Sequence, residues 1–284
     1  MEEQLTLTLL LEPVDKIDEF IQQDILAIVQ NSAILPAVQF WGHEQLNIEK
    51  ADEHFLTKVM LAVTALSKAN AHRRNHKLVQ NHLMAEIEKY KEVRGTNVDL
   101  LFNKIDSTVA LEGFFSQIKT TLDLLAQSLQ YVYGIKSPTW ARKRNKESGI
   151  ELSGMKIVSL INNLPVKIKG HARPISDLIT DHSEQITKIV RIRDSGVHFG
   201  KLNNVQGFRY SVEHKKVFPP VIALSDSEAR YAQEYMEEVL LFIAHFVQDF
   251  VVLVLSNLLS DMVVRKSPDG TWSYYSGVKS TPDR

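Results

Sequence analysis

Along most of this chain, apolar residues recur at intervals of three and four, the spacing that lines one face of an α-helix. In EPVDKIDEFIQQDILAIVQN, Val14, Ile17, Phe20, Ile21, Ile25, Ile28 and Val29 share such a face, with Pro13 near its start. IEKADEHFLTKVMLAVTALSKA (48–69) and HKLVQNHLMAEIEKYKEV (76–93) carry the same period, and the short basic link between them predicts an antiparallel helix pair. The strongest stripe lies in LFNKIDSTVALEGFFSQIKTTLDLLAQSLQYVYG. There Phe115, Ile118, Leu122, Leu125, Leu129 and Val132 alternate steps of three and four, and Gly134 is placed to close the helix. Gly113, inside the stripe, lowers local helicity but admits a close neighbour.

The second half follows the same logic with more interruptions. KSPTWARKRNKESG (136–149) is expected to be a basic loop, followed by a short helical run ending before Pro165. RPISDLITDHSEQITKIVRIRD predicts a new helix with Pro174 in its first turn and Ile175, Leu178, Ile179, Ile186, Ile189 and Val190 on one face. That helix is expected to end near Gly196. GFRYSVEHKKVFPPVI (207–222) alternates briefly and holds two prolines, which predicts a small hairpin or an extended loop. Ser225–Asp226 is placed to cap a long final helix, and SPDGTW (267–272) marks a terminal turn. The expected fold class is all-α, a bundle of long antiparallel helices with minor β-hairpin decoration. Its expected parts are an N-terminal helical region over 1–97 with no assigned role, a principal helical domain over 98–265 and a tail over 266–284.

Composition adds boundaries rather than identity. With 284 residues, 44% hydrophobic, 24% charged and a formal net charge of −1, the chain is an ordinary globular one with room for one large or two small domains. The absence of cysteine excludes disulfide frameworks, thiolate metal sites and cysteine nucleophiles. MEEQLTLTLLLEP is acidic and alternating, unlike a signal peptide, so a cytoplasmic protein is expected. VLLFIAHFVQDFVVLVLSNLLSDMVV (239–264) is long enough to span a membrane, but Asp249 sits in its middle with His245, Gln248, Asn257 and Asp261 nearby. A helix buried in a core or dimer interface is therefore expected, with no membrane partner. The near-zero net charge conceals an asymmetry: residues 134–216 hold 16 Lys/Arg against 7 Asp/Glu, and the rest of the chain 17 against 27. A basic middle third points to an anionic ligand, and nucleic acid is the commonest large one.

Several candidate chemistries can be compared. His72, His76 and His82 cluster in AHRRNHKLVQNHL, but no HExxH or intervening carboxylate accompanies them, so a solvated basic face is expected. His245 and Asp249, four apart, suit a buried hydrogen-bonded pair. No GxGxxG, GxxxxGK[ST] or GxSxG occurs, and neither a cofactor nor a metal is expected. VRIRDSGVHFG (190–200) remains. A guanidinium offers phosphate a planar fork of donors and offsets charge in the transition state. Imidazole titrates near neutrality and can take a proton from a ribose 2′-hydroxyl or give one to the leaving oxygen. Arg193 and His198 supply those groups, and Asp194 can orient either. The Arg-x4-His spacing also occurs at Arg209 and His214, but there Tyr210 follows the arginine and the context is the expected hairpin.

On these residues the chain resembles the HEPN superfamily of mainly helical ribonucleases and nucleotide-binding domains. Its signature is Arg, four to six residues, then His, often with Asn, Asp or His directly after the Arg; Arg193, Asp194 and His198 match it. The helix around ALEGFFSQIKTTLDLLAQSL and the helix running into RIRDSGVHFG also look like that family's bundle, so the resemblance covers roughly residues 98–264. It implies a metal-independent endoribonuclease in defence, toxicity or RNA control, with Arg193 on the scissile phosphate, His198 as general acid or base and Asp194 orienting them. It further implies a homodimer that brings two motifs to one cleft. Lys136, Arg142, Lys143, Arg144, Lys146, Lys167, Lys169 and Arg173 would then guide RNA without sequence preference. The alternatives are a non-catalytic RNA- or nucleotide-binding scaffold of the same fold, or a regulator whose acidic N-terminal third docks a protein partner. Some family members carry a modified tyrosine two residues after the His; Gly200 stands there instead, so that regulation finds no support.

Overall fold

The computed structural model describes residues 19–21, 39, 42, 46–91, 100–102, 105–136, 138–140, 142–144, 151–199, 205–211, 213–214, 216–224, 228–258, 262–266 and 272–276. Of these, 90–91, 100–102, 142–144, 195–199, 205–206, 256–258 and the last two strands are described by their backbone alone. The expected N-terminal helix therefore lies outside the described residues except for Glu19–Ile21. Helix accounts for 78% of the interpretable residues, in five helices, and the strands are short, so the chain is mainly α.

The first helix, α1, runs unbroken from Ala51 to Lys91, about 60 Å at 1.5 Å per residue. This corrects the expected helix pair. The AHRRN link contains no Gly or Pro, and its polar groups are not all turned to water: Asn70, Arg73 and His76 are buried. Upstream, Phe55, Val59, Ala62, Val63, Leu66 and Ala69 enter the main core; downstream, Leu83 and Ile87 pack with Phe208, Tyr210 and Val217 in a second small cluster. One helix thus bridges two apolar clusters through a polar waist.

Helix α2 (Ile105–Tyr133) follows strand β1 (Leu100–Phe102) and packs antiparallel to α1. Three contacts fix the register: Lys58 Nζ donates to Gln127 Oε1 at 2.8 Å, Thr121 Oγ1 to the Ala62 carbonyl at 3.3 Å, and His72 sits against Gly113. A Cβ at position 113 would lie 2.4 Å from His72 Cε1, so the glycine is the space the imidazole occupies. All six residues of the expected α2 stripe are buried, and Gly134, at φ 71°, ends the helix as expected.

Within the expected basic loop, residues 142–144 form a strand instead. Strand β2 (Arg142–Arg144) pairs antiparallel with β3 (Glu151–Ser153). Trp140, just before it, is fully buried edge-on to Phe246 at 5.6 Å, and its backbone N–H donates to Asp123 at 3.3 Å. Gly154 then turns at φ 85°, where a side chain would strike Trp140 and Ile179, and starts the short α3 (Met155–Asn162).

Helix α4 extends from Val166 to Phe199. Pro174 is inside it rather than in its first turn, and Gly196 is inside rather than at its end, correcting both expectations. Proline costs the helix the bond to the carbonyl four residues back; that residue is Gly170, which is exposed, so water can serve the carbonyl. The expected face, Ile175 to Val190, is buried.

Beyond α4, strands β4 (Val205–Gln206), β5 (Phe208–Ser211), β6 (Lys216–Phe218), β7 (Val221–Ala223) and β8 (Ala229–Tyr231) form two antiparallel sheets, ordered β1-β5-β6 and β4-β7-β8. The expected hairpin is β5–β6. The final helix, α5 (Ala232–Leu258), starts after β8 and not at the expected Ser225–Asp226 cap; the Ala232 N–H donates to the Pro220 carbonyl at 2.8 Å. Among the described residues α5 alone is long and apolar enough to cross a membrane, and 72% of that window is buried within the chain itself. Its apolar residues form the centre of the main core, touching α1, α2 and α4. That core draws on both sides of position 97. The segment expected to stay helical to 264 ends earlier: β9 (Met262–Lys266) pairs antiparallel with β10 (Trp272–Ser276) across the SPDGTW segment.

Candidate functional site

Arg193 and Asp194 lie toward the C-terminal end of α4, beside the buried Ile192. Arg193 Nη1 donates to Asp194 Oδ1 at 3.2 Å, with the side chains 32% and 18% exposed. Arg193 Nε is buried and has no acceptor among the described residues. A half-buried guanidinium with a spare donor is well suited to an oxyanion, because a charge-assisted bond there is stronger than a neutral one. His198 falls on the last turn of the same helix, but its side chain lies outside the described residues. Five residues along an α-helix are about 7.5 Å of rise and about 140° of rotation. Positions 193 and 198 of one copy therefore do not share a helix face.

The basic residues divide into two places. Lys167, Lys169 and Arg173 are exposed in the first turns of α4. Lys169 Nζ donates to the Asn162 carbonyl at 3.1 Å, and Arg173 lies 3.8 Å from Asp177, a solvated contact that contributes little. Twenty residues separate Arg173 from Arg193, about 30 Å along the helix, so this group is a remote approach surface and not part of the Arg193 site. Lys136 is exposed after α2. Arg142, Lys143 and Arg144 lie on β2, whose partner strand is tied to mid-α4 by the Ser153 N–H donating to Thr187 Oγ1 at 2.7 Å. The side chains of 142–144 and all of Lys146 lie outside the described residues.

The other candidates have structural accounts. Arg209 stacks over Phe218 at 5.0 Å, and the His214 ring lies 6.1 Å from the same ring, so the second Arg-x4-His is a hairpin packing arrangement. His245 is exposed with its ring 4.9 Å from Phe20, not in the expected buried pair. The three histidines at 72–82 do not form one solvated face. His82 is exposed beside Glu86 at 3.1 Å, His72 fills the Gly113 notch, and His76 is fully buried. Among the described residues no group of three or more His, Asp or Glu could hold a metal ion.

Two polar features are not among the expected ones. The first is the waist of α1. Arg73 Nε donates to Asn70 Oδ1 at 2.7 Å and its Nη1 to Glu237 Oε1 at 2.9 Å. Gln233 Nε2 also donates to Glu237, at 3.1 Å, leaving Gln233 Oε1 to face His76 Nδ1 at 3.0 Å. The amide orientation thus makes Nδ1 the protonated nitrogen, while Nε2 is buried without a partner among the described residues. Burial lowers the His76 pKa, and its bond to Gln233 only partly offsets this. A signal existed: Asn70, Arg73 and His76 interrupt the α1 apolar stripe at helical spacing, and Gln233 and Glu237 are four apart on α5.

The second is a cleft of about 380 Å³ between α4, the β7–β8 segment and the start of α5. Lys188 and Arg230 pair there with Glu228, at 3.6 and 3.7 Å, and Arg230 also with Glu238 at 3.3 Å. Burial, then the Glu228 and Glu238 carboxylates, push the Tyr235 phenol above its ordinary range, with Arg230 opposing, so the hydroxyl stays protonated. Comparison with family models, curated proteins and solved structures finds no match to this chain.

Proposed function

We propose that the chain is a metal-independent endoribonuclease of HEPN type, acting on RNA in the cytoplasm. The observation that carries the reading is Arg193: a half-buried guanidinium, oriented by Asp194, whose Nε has no acceptor among the described residues. Such a group holds a phosphate oxygen and offsets the charge that grows on it as the 2′-oxygen attacks phosphorus. His198 takes the 2′-hydroxyl proton or delivers one to the departing 5′-oxygen, leaving a 2′,3′-cyclic phosphate and a 5′-hydroxyl. One imidazole cannot do both in a single event, and one helix sets positions 193 and 198 about 140° apart. Both facts favour a homodimer in which two copies of α4 complete one cleft. Lys136, Arg142, Lys143, Arg144, Lys146, Lys167, Lys169 and Arg173 guide the strand by charge.

A second reading, an RNA- or nucleotide-binding module without cleavage, is favoured by the same helical spacing, since Arg193 can hold phosphate with no histidine beside it. Incubating structured and single-stranded RNA with wild type, Arg193→Ala and His198→Ala in EDTA separates the two. Cleavage to cyclic ends by wild type and by neither variant is the expected outcome. Undiminished cleavage by His198→Ala overturns the assignment, and tight binding with no cleavage selects the second reading.

A further inference from the structure

The waist of α1 joins two lobes of unequal apolar content, and none of its residues belongs to the proposed cleavage site. Between Ala69 and Leu83 the buried residues of α1 are all polar: Asn70, Arg73 and His76. Before them the main core holds α1; after them Leu83 and Ile87 hold it, against Phe208, Tyr210 and Val217. At the junction α1 is tied to α5 by polar groups, His76 Nδ1 on Gln233, and Gln233 and Arg73 on Glu237. His76 is fully buried, and its Nε2 has no partner among the described residues. Gln80 Oε1, one turn on, is buried and lacks a donor among the described residues. It can accept a hydrogen bond but cannot neutralise a charge. The arrangement therefore suits a neutral imidazole.

Helix α1 packs on α2, α5 and β6. From α5, Glu237 faces the waist, while Glu234 and Glu238 are exposed. On α2, Asp106 is exposed and Glu112 half-buried; on β6, Lys216 is exposed and lies over Phe218 at 5.9 Å. On α1 itself, His72 and Arg74 are half-buried, Lys77 is exposed and Arg73 is buried. A proton on His76 thus sets a second cation one turn from Arg73 and away from water, where repulsion and lost hydration both cost most. We propose that the waist is an acid-released latch: protonation of His76 frees α1 beyond Arg73, together with the β5–β6 hairpin, from α5 while the main core stays folded. Burial weakens proton binding by His76 in the closed form, and opening restores it, so the open form gains population as pH falls. The distal lobe has a far smaller apolar cluster than the main core, which favours its opening alone.

Amide hydrogen exchange of the full chain, followed by mass spectrometry and corrected for the intrinsic effect of pH on exchange, tests this. Near neutral pH, residues 77–91 and the β5–β6 hairpin are expected to be at least about ten-fold less protected than residues 110–132 of α2. Below about pH 6.5, opening of both distal segments is expected to grow together, by up to about ten-fold per pH unit. His76→Gln is expected to abolish that growth. His82→Gln, which removes an exposed histidine paired with Glu86 on the same lobe, is expected to leave it intact. In wild type alone, equal protection of the distal segments and α2 overturns the proposal, because the two would then open only together. A flat pH response of the distal segments overturns it as well, and so does a response that His82→Gln removes and His76→Gln does not.

Discussion

The seat of His72 on Gly113 yields a stability prediction with a sign that changes by background. A Cβ at 113 would meet three atoms of the imidazole at 2.4 to 2.7 Å, closer than real contacts allow. Gly113→Ala therefore has two opposed effects. Replacing glycine inside a helix contributes about 1 kcal/mol in favour of folding, while overpacking costs about 1–3 kcal/mol. His72 is half-buried, so the ring can swing partly clear and the net cost is expected at about 0–2 kcal/mol. With the ring removed in His72→Ala, only the propensity gain remains, and Gly113→Ala should then stabilise by up to about 1 kcal/mol. Urea unfolding of wild type, both single variants and the double variant closes the cycle, with an expected coupling of about 1–3 kcal/mol. Equal effects of Gly113→Ala in the two backgrounds, within about 0.5 kcal/mol, would refute the register of α1 on α2. The same result would remove the evidence that the AHRRN segment is helix seated on α2, because His72 lies in that segment.

Three further predictions rest on other contacts. Because burial lowers the His76 pKa below that of the unfolded chain, the unfolded state binds more protons beneath about pH 6.5. Stability should be full above that pH and fall by up to about 1.4 kcal/mol per unit as pH drops toward the lowered folded value; His76→Gln should flatten this slope in denaturant titrations at pH 5 to 7.5, and an unchanged slope would exclude His76 as its source. Glu237→Gln removes one carboxylate from the buried Arg73, and since Glu237 is 41% exposed the cost should be about 1–3 kcal/mol in thermal unfolding, below that of a fully buried pair. If Lys167, Lys169 and Arg173 contact RNA phosphates, the triple alanine variant should reduce the slope of log K against log salt by about 0.7 per lost contact on single strands; an unchanged slope would remove them from the RNA path.

The elements that the sequence made legible are those whose stripes are uninterrupted and apolar: α2 from Phe115 to Val132, α4 from Ile175 to Val190, and the buried α5. Misreadings came where polar residues do interior work. The charges of AHRRN suggested a solvated link, yet Arg73 and His76 are enclosed by Gln233 and Glu237, about 160 residues away in sequence. Pro174 suggested a helix start because no local rule announces that the exposed Gly170 ahead of it lets the helix continue. Ser225–Asp226 offered a cap, but strand β8 intervenes and the backbone of Pro220 takes the first α5 N–H. At the candidate site, the adjacency of Arg193 and Asp194 was legible, whereas the unmet Nε donor is a property of packing. The cleft draws on three separated segments with no shared motif, which is why no stretch of sequence pointed to it.

Mixed dimers test whether two copies combine Arg193 and His198 in one cleft. Arg193→Ala and His198→Ala proteins, each inactive on RNA alone, are unfolded together, refolded and assayed for 2′,3′-cyclic products. Activity is expected to return in part in the mixture, because a heterodimer retains one intact guanidinium and one intact imidazole in a shared cleft and leaves the second proton transfer to water. A mixture that forms heterodimers, shown by differently tagged copies purifying together, yet stays inactive would contradict it.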